Sequence, residues 1–89
     1  MLYMIIEEFH RDRVKQLYKR FEEKGRQLPE GVRYINSWVT EDVTICYQIM
    51  ESDTEEKIYQ WIQQWIGFAD FKVIPVITSA EAKEKVNEE

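Results

Sequence analysis

Three short parts of the chain carry the side chains that could do chemistry. Every second residue of 34–38 and of 46–50 is polar, aromatic or sulfur-containing, and an arginine follows the glycine at position 25. A few polar groups among apolar and aromatic ones are typical of a pocket that orients a small ligand. The candidate ligand-binding residues are therefore Tyr34, Asn36, Trp38, Cys46, Gln48, Met50 and Arg26.

Each candidate also has a purely structural interpretation. Cys46 lies within a predicted strand, where cysteine commonly packs as a small hydrophobe. Gln48 needs a hydrogen-bond partner there, and that partner can be another side chain as well as a ligand. Arg26 can cap the carbonyls of the helix before it or hold a carboxylate. The sequence leaves these alternatives open.

Other kinds of chemistry find little support in the composition. A single His and a single Cys form neither a metal site nor a catalytic triad, and the three glycines stand too far apart for a phosphate loop. We expect no metal and no obligatory cofactor. The net charge of −5 argues against nucleic acid or an anionic membrane as partner. One cysteine and no secretion signal favour the cytoplasm.

Hydrophobic periodicity predicts the elements that position the candidate residues. Glycines at 25 and 67 end two amphipathic helices, and Asp53 with Glu56 resembles a capping box at the start of the second one. The predicted strands cover 2–8, 33–40, 43–51 and 71–77, and the predicted helices cover 12–24, 53–66 and 80–87.

The order of these elements, βαββαβ, predicts an α+β fold of the ferredoxin-like class with a four-stranded antiparallel sheet. We expect the strand order 4-1-3-2, which makes the first and third strands central. Pro75 fits an edge strand, because proline cannot donate to a neighbour on both sides. Residues 1–78 would form this domain and 79–89 a short acidic helix or tail.

A three-residue hairpin at 40–42 would decide which side chains share a face. It would pair Trp38 near Thr44, Asn36 with Cys46 and Tyr34 with Gln48, so that all the strand candidates line one face. The opposite face would then be plain core, formed by Ile35, Val39, Val43, Ile45 and Ile49.

The central strands are apolar on both sides, although two helices can cover only one face of a sheet. Ile45, Tyr47 and Ile49 point one way, and Cys46 and Met50 point the other. An uncovered apolar face needs a partner, and a second copy of the chain meets that need most simply. We therefore predict a homodimer, with the interface on a face that the sequence does not specify.

Several stretches together resemble a known family. They are Lys24-Gly25-Arg26 with Leu28-Pro29, Ser37-Trp38-Val39, the run from Cys46 to Glu51, Trp61 and Trp65, and Phe71 with Pro75-Val76. In order and spacing they are similar to the family called domain of unknown function 3303. The resemblance implies a dimeric α+β barrel of ferredoxin-like subunits, and it implies no activity or catalytic residues.

Three classes of function follow. The first is a small cytoplasmic homodimer that binds an apolar or aromatic molecule near Trp38, Gln48 and Met50. The second is a cofactor-independent oxygenase or isomerase that uses the same pocket, with Arg26 or Glu51 as the polar group. The third is a purely structural or interaction dimer in which these residues only pack.

Overall fold

The computed structural model describes residues 1–88, so that Glu89 of the predicted tail lies outside the described part of the chain. A turn of 3-10 helix, Arg11–Arg13, precedes the first α-helix. The elements are β1 (Leu2–Phe9), α1 (Val14–Lys24), β2 (Val32–Val39), β3 (Ile45–Ser52), α2 (Glu55–Gln63), β4 (Ala69–Val76) and α3 (Ser79–Asn87).

The four strands form one antiparallel sheet in the order β2-β3-β1-β4. The order of elements and the order of strands both match the ferredoxin-like prediction, and β1 and β3 are the central strands as expected. Pro75 lies in β4, which is an edge strand. The predicted fold class is therefore confirmed.

The ends of α1 and α2 differ from the predictions. α1 begins at Val14 and not at Asp12, because residues 11–13 form the 3-10 turn, and the side chain of Arg13 makes no capping hydrogen bond. α2 begins after Thr54 and not after Asp53, because the Thr54 side chain accepts a hydrogen bond from the Lys57 backbone N–H. It also ends at Gln63, earlier than predicted. α3 begins with a complete capping box between Thr78 and Glu81, and none of its residues is buried.

Burial alternates along the central strands because α1 and α2 cover one face of the sheet only. In β3 the even-numbered residues from 46 to 52 are buried, and the odd-numbered ones are only half-buried. The same alternation runs along most of β1. The core between the sheet and the helices includes Tyr3, Ile5, Leu17, Met50, Ile58, Trp61, Ile62 and Trp65.

The hairpin between β2 and β3 differs from the prediction, and it changes the face on which two candidates lie. Residues 40–44 form the connection, with Val43 in the left-handed region at φ 57°. The Thr40 hydroxyl oxygen accepts hydrogen bonds from the backbone N–H groups of Thr44 and Ile45, 3.1 Å each, and holds this longer turn. The three-residue hairpin was wrong.

The longer turn shifts the pairing by an odd number of residues, which moves side chains to the opposite face. Trp38 pairs with Tyr47 and Asn36 with Ile49, so both lie on the face without helices. A bulge between Tyr34 and Asn36 changes the pairing by one more residue. Tyr34 therefore pairs with Met50 on the helix side, and it keeps the face that it was predicted to share with Gln48.

The predicted plain core on the other face was also wrong. Ile45 and Ile49 are half-buried on the face without helices, whereas Val39 pairs with Cys46 on the helix side. Val43 belongs to the turn, and Ile35 at the bulge is 42% exposed.

Candidate functional site

A cavity of about 180 Å³ lies between the helix-covered face of the sheet and helices α1 and α2. Its volume is below the roughly 300–1,000 Å³ of sites for drug-sized ligands, so it suits a small molecule. The wall is mostly apolar and aromatic, with Phe9, Tyr18, Phe21, Trp61, Trp65 and Phe71 contributing rings. The polar groups in the wall are Glu7, Arg26, Ser37, Cys46 and Gln48.

The most unusual of these groups is Glu7, a carboxyl that is only 7% exposed. Glu7 follows Tyr3 and Ile5 on the helix-facing side of β1, and it pairs directly with Cys46 of β3. The Gln48 amide Nε2 donates a hydrogen bond to Glu7 Oε1. The central strands thus place a carboxyl and an amide side by side at the cavity wall.

Gln48 satisfies only part of its own hydrogen-bonding capacity. Its side chain is 4% exposed, and its Oε1 atom is buried with no partner within residues 1–88. A buried acceptor without a donor is costly, and native proteins rarely leave one unpaired. This oxygen is therefore available to a donor that enters the cavity.

Burial raises the pKa of Glu7 from 4.5 to about 7, because the charged carboxylate loses its hydration. The hydrogen bond from Gln48 and the charge of Arg26 act in the opposite direction and limit the rise. Glu7 can therefore gain or lose a proton near neutral pH, as a general acid or base must.

The thiol of Cys46 is unreactive in the same surroundings. Burial, followed by the negative charge of Glu7, raises the pKa of its thiol to about 12. Because the thiolate is the reactive form, Cys46 is inert at neutral pH.

Arg26 is held at the end of the cavity by contacts of both its backbone and its side chain. Its carbonyl oxygen accepts hydrogen bonds from the indole Nε1 atoms of Trp61 and Trp65, at 2.8 and 3.2 Å. Its guanidinium carbon lies 3.6 Å from the ring centre of Tyr34 and 4.9 Å from that of Phe21. These contacts fix the loop after α1 against α2 and β2.

The structure brings three of the seven candidates into the cavity wall, namely Arg26, Cys46 and Gln48. Tyr34 lies behind the wall, where it stacks on Arg26 and its hydroxyl lies 2.7 Å from Ser37 Oγ. Met50 is fully buried in the core.

Asn36 and Trp38 do not contribute to this site, because they lie on the face of the sheet without helices. Glu51, the alternative polar group, forms an exposed ion pair with Arg33 at 2.9 Å and does not line the cavity.

Several residues of the cavity wall were not predicted from the sequence, namely Glu7, Ser37 and the aromatic side chains that the helices contribute. The signal for Glu7 was present, since a carboxyl continues the alternation of Tyr3 and Ile5 in a central strand. The signal for Ser37 was hidden, because its position on the helix side depends on the hairpin register.

Clusters of metal-binding side chains and membrane-spanning helices are both absent from residues 1–88. No three His, Cys, Asp or Glu side chains there lie close enough together to hold a metal ion. No helix in the same range is long and apolar enough to cross a membrane.

The raised pKa of Glu7 makes the stability of the fold depend on pH. Below pH 4.5 both the folded and the unfolded chain hold this proton. The contribution of Glu7 to the free energy of unfolding is then at its highest. Between pH 4.5 and about 7 the unfolded chain releases the proton first, and stability falls. The free energy of unfolding should fall by about 3 kcal/mol in total over this range, and this fall should be absent in Glu7→Gln.

Urea unfolding of both proteins from pH 4 to pH 8 measures this difference. Glu8→Gln is the matched control, because Glu8 is the next residue and is exposed. It should keep the pH dependence of the wild-type protein. Parallel stability curves for the wild-type protein and Glu7→Gln would contradict the raised pKa.

Comparison with known proteins agrees with this architecture. The fold is similar to that in the crystal structure of SCO4226 from Streptomyces coelicolor A3(2), with a TM-score of 0.57 and 16% sequence identity. The match covers 89% of this chain and 99% of that chain, and at this identity it concerns the fold alone. A comparison with curated proteins finds no match. The family model "Domain of unknown function (DUF3303)" matches residues 1–89, and the chain therefore belongs to this family.

Proposed function

We propose that the protein is a cytoplasmic homodimer that binds a small apolar or aromatic molecule in the cavity beside Gln48. The observation that carries this proposal is the polar pair of Glu7 and Gln48, buried at the wall of a mostly apolar cavity. A protein that needed only a packed core would be more stable with apolar side chains at these positions. The single cysteine supports the cytoplasmic location.

The cavity has the general properties of a binding site for a small molecule. Its rings offer a large apolar contact area, and its few polar atoms lie together at one part of the wall. Gln48 Oε1 in particular offers an acceptor that can fix the orientation of a ligand.

The open face of the sheet supports a dimer. Side chains from β1, β3 and β4, including Met4, Ile6, Tyr47, Ile49 and Ile74, are half-buried there, and Trp38 of β2 is 58% exposed. A chain of 89 residues has a small core of its own, so a shared apolar interface would add to its stability. Two sheets packed face to face would form the dimeric α+β barrel that the family resemblance implies.

Glu7 favours a second candidate function, a cofactor-independent isomerase. A carboxyl with a pKa of about 7 can take a proton from a carbon next to a carbonyl group. The proton can then return to another atom of the same molecule, so that no co-reactant is consumed. In this function Glu7 replaces Arg26 and Glu51 as the acting polar group.

The binding function is tested first by native mass spectrometry of the purified protein. We expect a small molecule to be retained, and we expect Gln48→Leu to lose most of it because the orienting acceptor is removed. Lys19→Ala is the control, since Lys19 is exposed on α1 and lies outside the cavity wall. Equal retention by the wild-type protein and Gln48→Leu would place the molecule elsewhere.

The isomerase function is tested with the retained molecule after its identification. Incubation in deuterium oxide with the wild-type protein should add deuterium at a carbon of that molecule, as seen by mass spectrometry. Glu7→Gln should abolish the exchange, because an amide cannot accept the proton, and Glu8→Gln should preserve it. Exchange at the wild-type rate in Glu7→Gln would rule out this role for Glu7.

The dimer is tested by light scattering at micromolar concentration. Ile49→Lys introduces a charge at the middle of the open face and should give a monomer. Tyr59→Lys is the matched control, because Tyr59 is 48% exposed on α2, away from the sheet face, and it should remain dimeric. A monomeric wild-type protein would contradict the proposal directly.

A further inference from the structure

Two of the most deeply buried polar side chains in the cavity wall, Glu7 and Gln48, present hydrogen-bond acceptors. Glu7 has two carboxyl oxygens, which together can accept several hydrogen bonds, and the Gln48 amide supplies one of them. Gln48 Oε1 is a second acceptor, buried and unpaired within residues 1–88. Both residues are more than nine-tenths buried, so bulk water gives little compensation.

The indole donors around the cavity are occupied. The indole N–H groups of Trp61 and Trp65 both donate to the carbonyl oxygen of Arg26. The Arg26 guanidinium stacks on Tyr34 and Phe21, and its Nη2 lies 3.5 Å from Ser37 Oγ. A ligand that brings donors would pair with the buried acceptors of Glu7 and Gln48, and a ligand that brings only acceptors would leave Gln48 Oε1 unpaired.

The rest of the wall suits a positive charge attached to an apolar body. Rings from α1, α2 and the sheet surround the space beside the carboxyl, and an ammonium group near aromatic faces is attracted by their π-electrons. The volume of about 180 Å³ limits the body to a small group such as a single ring.

We propose that the cavity binds a small amine in which an ammonium group is attached to an aromatic or apolar body. The ammonium donates hydrogen bonds to the Glu7 carboxylate and to Gln48 Oε1, and the body packs against the rings of the helices. This inference rests on the proposed binding function and names the class of ligand. It is independent of the isomerase function.

The charged and titratable groups that face Glu7 come from three other parts of the chain. Arg26, in the loop after α1, opposes a second positive charge in the cavity, although its own charge lies against Tyr34 and Phe21. Cys46 of β3 stays a neutral thiol, since its pKa is raised to about 12. Tyr18 of α1 also stays neutral, because burial raises its pKa above 10.0. Glu7 is therefore the group in this set whose charge changes near neutral pH.

Three probes of matched size test the inference: 2-phenylethylamine as the cation, 2-phenylethanol as the neutral form and phenylacetate as the anion. Their affinities for the wild-type protein are measured by NMR titration at pH 8, where Glu7 is charged. We expect the amine to bind about tenfold more tightly than the alcohol, because hydrogen bonds between charged groups are stronger. Phenylacetate should bind most weakly.

Two further measurements test whether Glu7 causes the preference for the amine. In Glu7→Gln the advantage of the amine over the alcohol should disappear, while Glu8→Gln should retain it. In the wild-type protein the affinity for the amine should fall about tenfold between pH 8 and pH 6, as the carboxyl with a pKa of about 7 takes up a proton. The affinity for the alcohol should not change over this range. The pH series needs no variant, so it remains decisive if Glu7→Gln folds poorly.

The possible outcomes separate this inference from the proposed function. Tightest binding of phenylacetate would show that Arg26 selects an anion and would overturn the inference while keeping a binding site. Equal binding of all three probes would also overturn it, since charge would then play no part. No binding of any probe at the cavity residues would contradict both the inference and the binding function.

Discussion

Two helices cover one face of a four-stranded sheet, and this unequal cover determines the rest of the structure. Side chains of the central strands that point toward α1 and α2 are buried, and their neighbours on the other face are not. The core and the cavity both lie on the covered side. The apolar character of the uncovered side is the physical basis for the proposed dimer.

The cavity exists because the covered side is not filled uniformly. At one end of β1 and β3 the side chains are large and apolar, and Met50 and Ile5 are fully buried beneath the helices. Toward the other end the same face carries Glu7, Cys46 and Gln48, and the space above them stays open. Burial of a carboxyl there reduces the stability of the fold at neutral pH, and this cost is the physical basis for the proposed ligand site.

Arg26 connects the helices to the edge of the sheet at the cavity. Its carbonyl oxygen is shared by two tryptophan side chains of the α2 region, and its guanidinium rests on a ring from β2 and a ring from α1. Gly25 makes this arrangement possible, since its φ of 66° reverses the chain directly after α1. Through these hydrogen bonds Trp61 and Trp65 hold this part of the cavity wall in place.

The sequence alone determined the order of elements, the strand order and the central position of β1 and β3. These follow from hydrophobic periodicity and from glycine and proline positions, which are local properties. Cys46 and Gln48 of the cavity wall were also visible in this way, because polar residues in an apolar strand can be recognised without a structure. Arg26 was visible because it follows the glycine that ends the first helix.

Only the tertiary structure decided which face each side chain of β2 occupies. The turn at 40–44 and the bulge near Ile35 set the register, and a shift by one residue exchanges the two faces of a strand. For this reason Asn36 and Trp38 do not line the cavity, although they were predicted to, and Ser37 does. Glu7 became significant only when β1 was placed beside β3, since its raised pKa and its bond to Gln48 arise from neighbours distant in sequence.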